Sequence, residues 1–268
     1  MTTQGLPKAR VGARSWAGAP SHLAALLSVV AGAFGVLVAG APVAGAVTAP
    51  SGGRGHAVTE PGGSMGQGKT ADPSVSLPPP PAMVRACEPG QRERCDAAAL
   101  VAIDSARARE HVGPMHLPSG YSQLALPAQV LVVADLERTD RGLPGFTGLS
   151  SELDRLAAAG AAQRSDPTGP SGAEWGSNVA IGYVSALQAD YAWMYDDGLG
   201  SANSDCHKGS TSGCWGHRHN ILGNYGLHPA MGAAVLEVPS KPPKVLVFTQ
   251  LFAGCQPGAL DVKLPALG

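Results

Sequence analysis

"GCWGHRHNIL" occupies Gly213–Leu222, directly ahead of the turn-like "GNYG". A cysteine, a tryptophan, two histidines, an arginine and an asparagine share this short stretch. That density of polar and ligating groups admits a metal site, a catalytic site or a buried polar knot. His217 and His219 form an H-x-H pair. On a strand the two rings would face one way, and on a helical turn they would diverge. A catalytic zinc site takes three protein ligands. The pair would need its third from Asp196, His207 or His228, and no spacing singles one out. The stretch therefore reads first as a structural knot, with His217 a hydrogen-bonded histidine at the remnant of a cleft. No metal or cofactor is expected.

At the other end of the chain, Lys8, Arg10 and Arg14 precede an apolar run, "LAALLSVVAGAFGVLVAG", Leu23–Gly40. Small residues follow as A-x-A-like cleavage sites, Ala44-Gly45-Ala46 or Val47-Thr48-Ala49. Residues 1–49 read as an export signal. The run is also close to the length that spans a bilayer, so an uncleaved anchor is the alternative. Either way the rest of the chain is expected to be secreted or held at the cell envelope. Residues 50–82 are rich in Gly, Ser and Pro, with no hydrophobic period, and read as a flexible linker ending in a polyproline spacer. Residues 83–268 are long enough for one domain with a sizeable core.

Across all 268 residues the net charge is −1, with no basic stripe, which argues against a nucleic-acid partner. Five cysteines remain to be placed. In an exported protein thiols tend to pair. Cys206 and Cys214 flank "HKGSTSG", a loop that closes easily, and are expected to form a disulfide. Cys87 and Cys95 flank a Pro-Gly turn and are the next candidates. Cys255 could take either of them instead, and an odd count leaves one thiol over. The spacings fit no zinc ribbon or finger.

Helical spacing without internal Gly or Pro predicts a first helix over Arg92–His111. A second runs through "LPAQVLVVADLERTDRG", with Pro127 at its start and Gly142 at its stop. A third opens at Ser150 or Ser151. A fourth, "SALQADYAWMYDDG", opens on the capping box Ser185/Gln188. Asp196 and Asp197 then fall in its last turn, where the helix dipole disfavours negative charge; such an anomaly can mark a site. Ala230–Val238 and Lys244–Gly254 read as two antiparallel strands. Helices first and a small sheet late make an α+β fold.

These pieces together resemble the CAP domain family, also called SCP or sperm-coating-protein-like, in its bacterial and actinobacterial branch. Gly216-His217-Arg218-x-Asn220-Ile221-Leu222 is similar to that branch's G-H-R-x-N-I-L motif. Asp135–Arg138 with Gly142-Leu143-Pro144 resembles the family's N-x-x-R-x-x-x-G-L-x-P helix end. Trp175–Ala180 resembles the G-E-N-I-A motif, Trp193–Asp196 the W-x-x-E helix, and Met231–Ala234 the strand that follows. The resemblance spans about Asp96–Cys255. It implies an α–β–α sandwich with a small antiparallel sheet between helices, and a cleft lined by two histidines and two acids.

The departures from that pattern narrow the function. His217 matches one histidine and Asp196 one acid, so those two are expected to pair, the carboxylate fixing the ring tautomer. Asp197 is expected to be solvated or bonded to Lys208 or Arg218. The glutamate of G-E-N is Ser177 here, and the second histidine's region reads "RSDPTG". Glu174 could stand in for the missing acid, and Ser177 could form a nucleophile–histidine dyad with His217, the plainer reading being simple loss of the glutamate. Asn178, Trp193, Arg218 and Asn220 line the cleft or hold the fold. "GCW" is faintly similar to a papain-type nucleophile region, but Cys206 offers Cys214 a disulfide instead. The resemblance thus implies an exported domain that binds a small apolar, lipid or cell-envelope ligand near His217. The alternatives are an extracellular hydrolase using His217 with Asp196, Glu174 or Ser177, and an interaction module presenting the Cys206–Cys214 loop.

Overall fold

The computed structural model of the protein describes residues 70–238, 245–254 and 262–263. The stretch read as an export signal, most of the stretch read as a linker and Cys255 lie outside the described residues. The described elements are α1 Pro81–Ala86, α2 Arg92–Arg109, α3 Leu126–Thr139, β1 Leu149–Ser150, α4 Ser151–Gln163, β2 Trp175–Ile181, α5 Ala186–Tyr195, α6 Gly216–Leu222, β3 Pro229–Val238, β4 Val245–Gly254 and β5 Val262–Lys263. Among them no helix is long and apolar enough to cross a membrane.

Local sequence sets the helix ends. Ser150 caps α4 by accepting the Leu153 N–H at 3.4 Å. Ser185 caps α5 by accepting the Gln188 N–H at 3.1 Å, and Gln188 Oε1 returns to the Val184 N–H at 2.8 Å. Each cap satisfies a donor that the first helical turn leaves orphaned. Gly142 stops the chain after α3 in the left-handed region, at φ 80°.

The five strands lie in the order β2-β4-β3-β1-β5. β3 and β4 pair antiparallel as expected, and β2 pairs antiparallel with β4. The sheet is not wholly antiparallel, however. β1 runs parallel to β3, because Leu149 and Ser150 lead straight into α4, which crosses the sheet before β3 returns beside them. That crossover makes the sheet mixed.

Side-chain alternation separates two cores. Ala230, Ala234, Val247 and Leu251 pack with Leu153, Ala157 and Ala161 of α4. Met231, Ala233, Phe248 and Phe252 face the other way, onto α2, α3 and α5. The sheet therefore lies between α4 and a layer of helices, an α+β architecture. Small residues allow the approach of α4: a Cβ on Gly232 would overlap the Leu153 backbone.

The last part of the stretch read as linker is docked rather than free. Leu77 packs against the larger core and its N–H donates to the Tyr195 carbonyl at 2.8 Å. Ser76 Oγ donates to Asp196 Oδ1 at 2.7 Å, and Arg218 Nη2 donates to the Ala71 carbonyl at 3.1 Å. A linker needs unengaged backbone, and residues 71–77 form a strap.

Candidate functional site

The quoted stretch folds as a helix, α6, and this settles the H-x-H question. His217 and His219 leave it in different directions. His219 Nε2 meets Asp72 of the strap at 2.8 Å, and His217 Nδ1 meets Asp197 Oδ1 at 2.6 Å. His207 accepts the Gly209 N–H within its own loop, and His228 is exposed. Among the described residues no three His, Cys, Asp or Glu side chains are grouped to hold a metal ion.

The acid that partners His217 is Asp197, not Asp196. Asp197 is 1 % exposed. Its Oδ2 also accepts the backbone N–H of His217 at 2.9 Å and, at 3.5 Å, that of Arg218. The contact expected with Arg218 is thus made to its backbone. Asp197 caps the open start of α6, and that accounts for an acid just past the end of α5. Asp196 turns instead to Ser76. Two consecutive residues leaving a helix end cannot point one way, and the spacing argument chose the wrong one.

Several features aim the pair. Trp215 sits in the left-handed region at φ 63°, its N–H donating to the Asp197 carbonyl at 3.1 Å. Its ring lies over Gly198, where a Cβ would come within 2.6 Å. Asn203 Nδ2 donates to Asp197 Oδ1 at 2.7 Å and to the Gly213 carbonyl at 3.1 Å. The Cys206–Cys214 disulfide, as expected, closes the loop between these anchors. Cys87 and Cys95 form the second disulfide. Two disulfides point to an oxidising, extracellular environment.

Behind α6 lies a polar layer that carries the motif residues. Asn178 Nδ2 donates to the His217 carbonyl at 3.1 Å and to Gln250 Oε1 at 3.0 Å. Asn220 Nδ2 donates to the Ser177 carbonyl at 2.8 Å and to Asn178 Oδ1 at 3.0 Å. Trp193 Nε1 donates to the Val179 carbonyl at 3.1 Å. These bonds cover the free edge of β2, which would otherwise invite another strand. Arg218 is fully buried and binds Glu110 and the Met194 carbonyl. Asn178, Asn220 and Arg218 thus hold the fold, and Trp193 does so while also lining the cavity.

Ser177 and Glu174 do not join His217. On β2 the side chains of Gly176 and Asn178 face α6, since a Cβ on Gly176 would meet Asn220 and Tyr225. Strand alternation turns Ser177 to the opposite face. Glu174 is exposed at the start of β2, where its carbonyl accepts the Gly254 N–H. Neither side chain lines the cavity at His217.

That cavity is about 240 Å³ in volume. Its walls combine His217, Asp166, Asp196, Asp197 and Asp205 with Trp193, Tyr183 and Ala180. Asp166 comes from the "RSDPTG" segment and is held by the Val179 N–H. Burial pulls the His217 pKa down, but the Asp197 hydrogen bond and charge, backed by Asp166 and Asp205, raise it above the ordinary value. Burial pushes the Asp196 pKa up, Ser76 opposes that, and the Asp197 charge adds to it. Asp166, Asp197, Asn203 and Asp205 were not anticipated as cavity residues. The only signal in the sequence was the unexplained Asp-Asp pair.

No family model matches the chain, and neither a curated protein nor a solved structure matches it.

Proposed function

We propose that the chain is an exported CAP-like domain that binds a small ligand in the cavity beside His217. The observation that carries this reading is the Asp197–His217 pair set in the wall of that cavity. One carboxylate fixes both the backbone and the ring of His217, and such preorganisation suits a site that must hold its shape before a ligand arrives. The resemblance to CAP domains supports the same location.

The ligand class follows from charge and size. Four carboxylates against one imidazole favour a cationic group, an amine or a guanidine, over a neutral lipid. Trp193 and Tyr183 supply aromatic surface to such a cation. The volume is below that of common drug-sized pockets, so a small molecule or the end of a larger cell-envelope component fits it best. Native mass spectrometry and calorimetric titration of the exported domain with alkylamines and guanidines test the reading. Binding is expected in the natural protein and is weakened at least tenfold in Asp197→Ala and Asp205→Ala. Tighter binding of an uncharged lipid than of any amine, unchanged by these substitutions, would sink it.

A hydrolase remains the second reading, and one bond favours it. Asp197 engages Nδ1 and leaves Nε2 for proton transfer, the arrangement of a general acid or base. Turnover of ester or amide substrates that disappears in His217→Gln while binding persists would replace the first reading with this one.

A further inference from the structure

Asp190 lies on α5, inside the helical layer and away from the His217 cavity. It is 1 % exposed, and no donor reaches either of its carboxyl oxygens. An ionised carboxylate without water or donors is among the costliest groups a core can hold. The cations around it are committed elsewhere. Arg107 of α2 binds Glu137 of α3 at 3.1 Å and also Asp140. Arg141, just past α3, binds Glu137 and, at 2.6 Å, Glu110. Arg218 of α6 binds Glu110 at 3.0 Å. Three guanidiniums face three carboxylates in this network, and the charges match without Asp190.

The group within hydrogen-bonding reach of Asp190 is Glu137, which is itself an acceptor. Glu137 also receives the Tyr195 hydroxyl at 2.8 Å. Two ionised carboxylates cannot bond, whereas one proton held between them makes a strong bond. We propose that Asp190 is a neutral carboxylic acid in the folded protein, donating its proton to Glu137 and so locking α5 onto α3. Nearby, Tyr121 has no partner for its hydroxyl, and beyond it stand Asp96 and Arg92. Tyr121 stays a neutral phenol, because burial keeps its proton on and the Asp96 charge adds to that.

The lock has a pH dependence of fixed sign. Unfolded, Asp190 ionises near about pH 3.9. Folded, burial first, and then the Glu137 charge against those of Arg141 and Arg107, leaves it protonated well above that pH. Between the two the native chain carries the extra proton, so folding weakens as pH rises, by about tenfold in equilibrium constant per pH unit. Loss of the proton would loosen α5, whose end delivers Asp196 and Asp197 to the cavity.

Asp190→Asn keeps the shape and a donor toward Glu137 but cannot ionise. Urea unfolding of the disulfide-intact protein is compared for both forms from about pH 5 to about pH 9. The natural protein should lose stability relative to the variant by about tenfold in equilibrium constant per pH unit, until its own carboxyl ionises. A ratio constant with pH, with the variant the weaker throughout, overturns the proposal. Carboxyl-labelled aspartate NMR on the natural protein decides the matter if the variant does not fold. The Asp190 carbon should stay at its protonated position through neutral pH. An Asp190 signal that titrates as an ordinary carboxylate overturns the proposal.

Discussion

One carboxylate, Asp197, holds His217 twice, by its backbone N–H at 2.9 Å and by its ring Nδ1 at 2.6 Å. The first bond starts α6 and the second fixes the imidazole. Folding of the helix and orientation of the ring are therefore one event. Asp197→Asn keeps the shape but removes the charge, and the His217 pKa should fall, by at least one unit on the scale of a close opposite charge. Asp196→Asn should leave it nearly unchanged, because that acid is turned to Ser76. NMR titration of the ring protons reads both. The sign for stability follows. A raised His217 pKa contributes stability below the unfolded value of about 6.5 that is lost as pH rises through the folded value. Asp197→Asn should flatten that decline.

Helices α2 to α5 were legible from their spacing, with Ser150, Ser185 and Gly142 as start or stop signals; α1 and α6 were not, being short and without a side-chain cap of their own. The β3–β4 pair was legible from β-rich composition. β1 and β5 were not, being two residues each and formed only by pairing with neighbours. The general place of the cavity was legible, since His217 of the GHRxNIL stretch lies in its wall. The choice between Asp196 and Asp197 was not. It depends on the turn after α5, and a one-residue shift reverses which acid points at α6. Asp166 comes from a segment distant from His217 in sequence and Asp205 from the far side of the disulfide loop, and only the fold brings them to it.

Arg138, in the last turn of α3, ties that helix to the end of α6. It is 1 % exposed and donates to the carbonyls of Ile221, Gly223 and Pro144, at 2.7, 2.7 and 2.9 Å. Its guanidinium lies 4.7 Å from the Phe146 ring centroid. Burial brings its pKa down to about 10. The Ile221 and Gly223 carbonyls lie at the end of α6, where a helix leaves its last acceptors without intrahelical donors. Arg138→Met should cost about 3 kcal/mol or more, the sum of hydrogen bonds to a charged donor and of acceptors left buried. Arg138→Lys should recover little, because an ammonium cannot span the three acceptors. Denaturant titration measures both.

Gly232 should tolerate no side chain. A Cβ there overlaps backbone atoms of Leu153, and helix α4 cannot yield without leaving the sheet. Gly232→Ala is expected to cost about 3 kcal/mol, at the upper end for overpacking, or to prevent folding. Thermal unfolding and soluble yield report the result. A loss below about 1 kcal/mol would show that α4 packs more loosely than this close approach implies.

The Cys206–Cys214 disulfide closes a short loop, so its removal in the double serine variant should cost about 2.5 kcal/mol. The effect should also reach His217. Asn203 binds both Asp197 and the Gly213 carbonyl beside Cys214, and it keeps its place only while that loop is closed. The His217 titration should broaden or shift in the variant. Removal of the Cys87–Cys95 bond, remote from Asp197, should cost similar stability and leave that titration alone.

The strap over α6 offers a last prediction, set by one exposed pair. The Asp72 hydrogen bond and charge raise the His219 pKa against the pull of burial. Protonated His219 therefore holds the strap best below the ordinary histidine pKa, and the hold weakens as pH rises through the folded value. His219 is 51 % exposed and Asp72 38 % exposed, so solvent screens the pair. Its worth is below about 1 kcal/mol. Amide exchange at Ala71 and Asp72 should accelerate on that rise, by no more than about fivefold. Leu77 should not follow, because its N–H is tied to the Tyr195 carbonyl and its side chain is packed on the core. His219→Ala should remove the pH dependence at the outer end of the strap. If Leu77 exchanged in step with Asp72 in the natural protein, the strap would be opening as one unit, and Ser76 would release Asp196 with it.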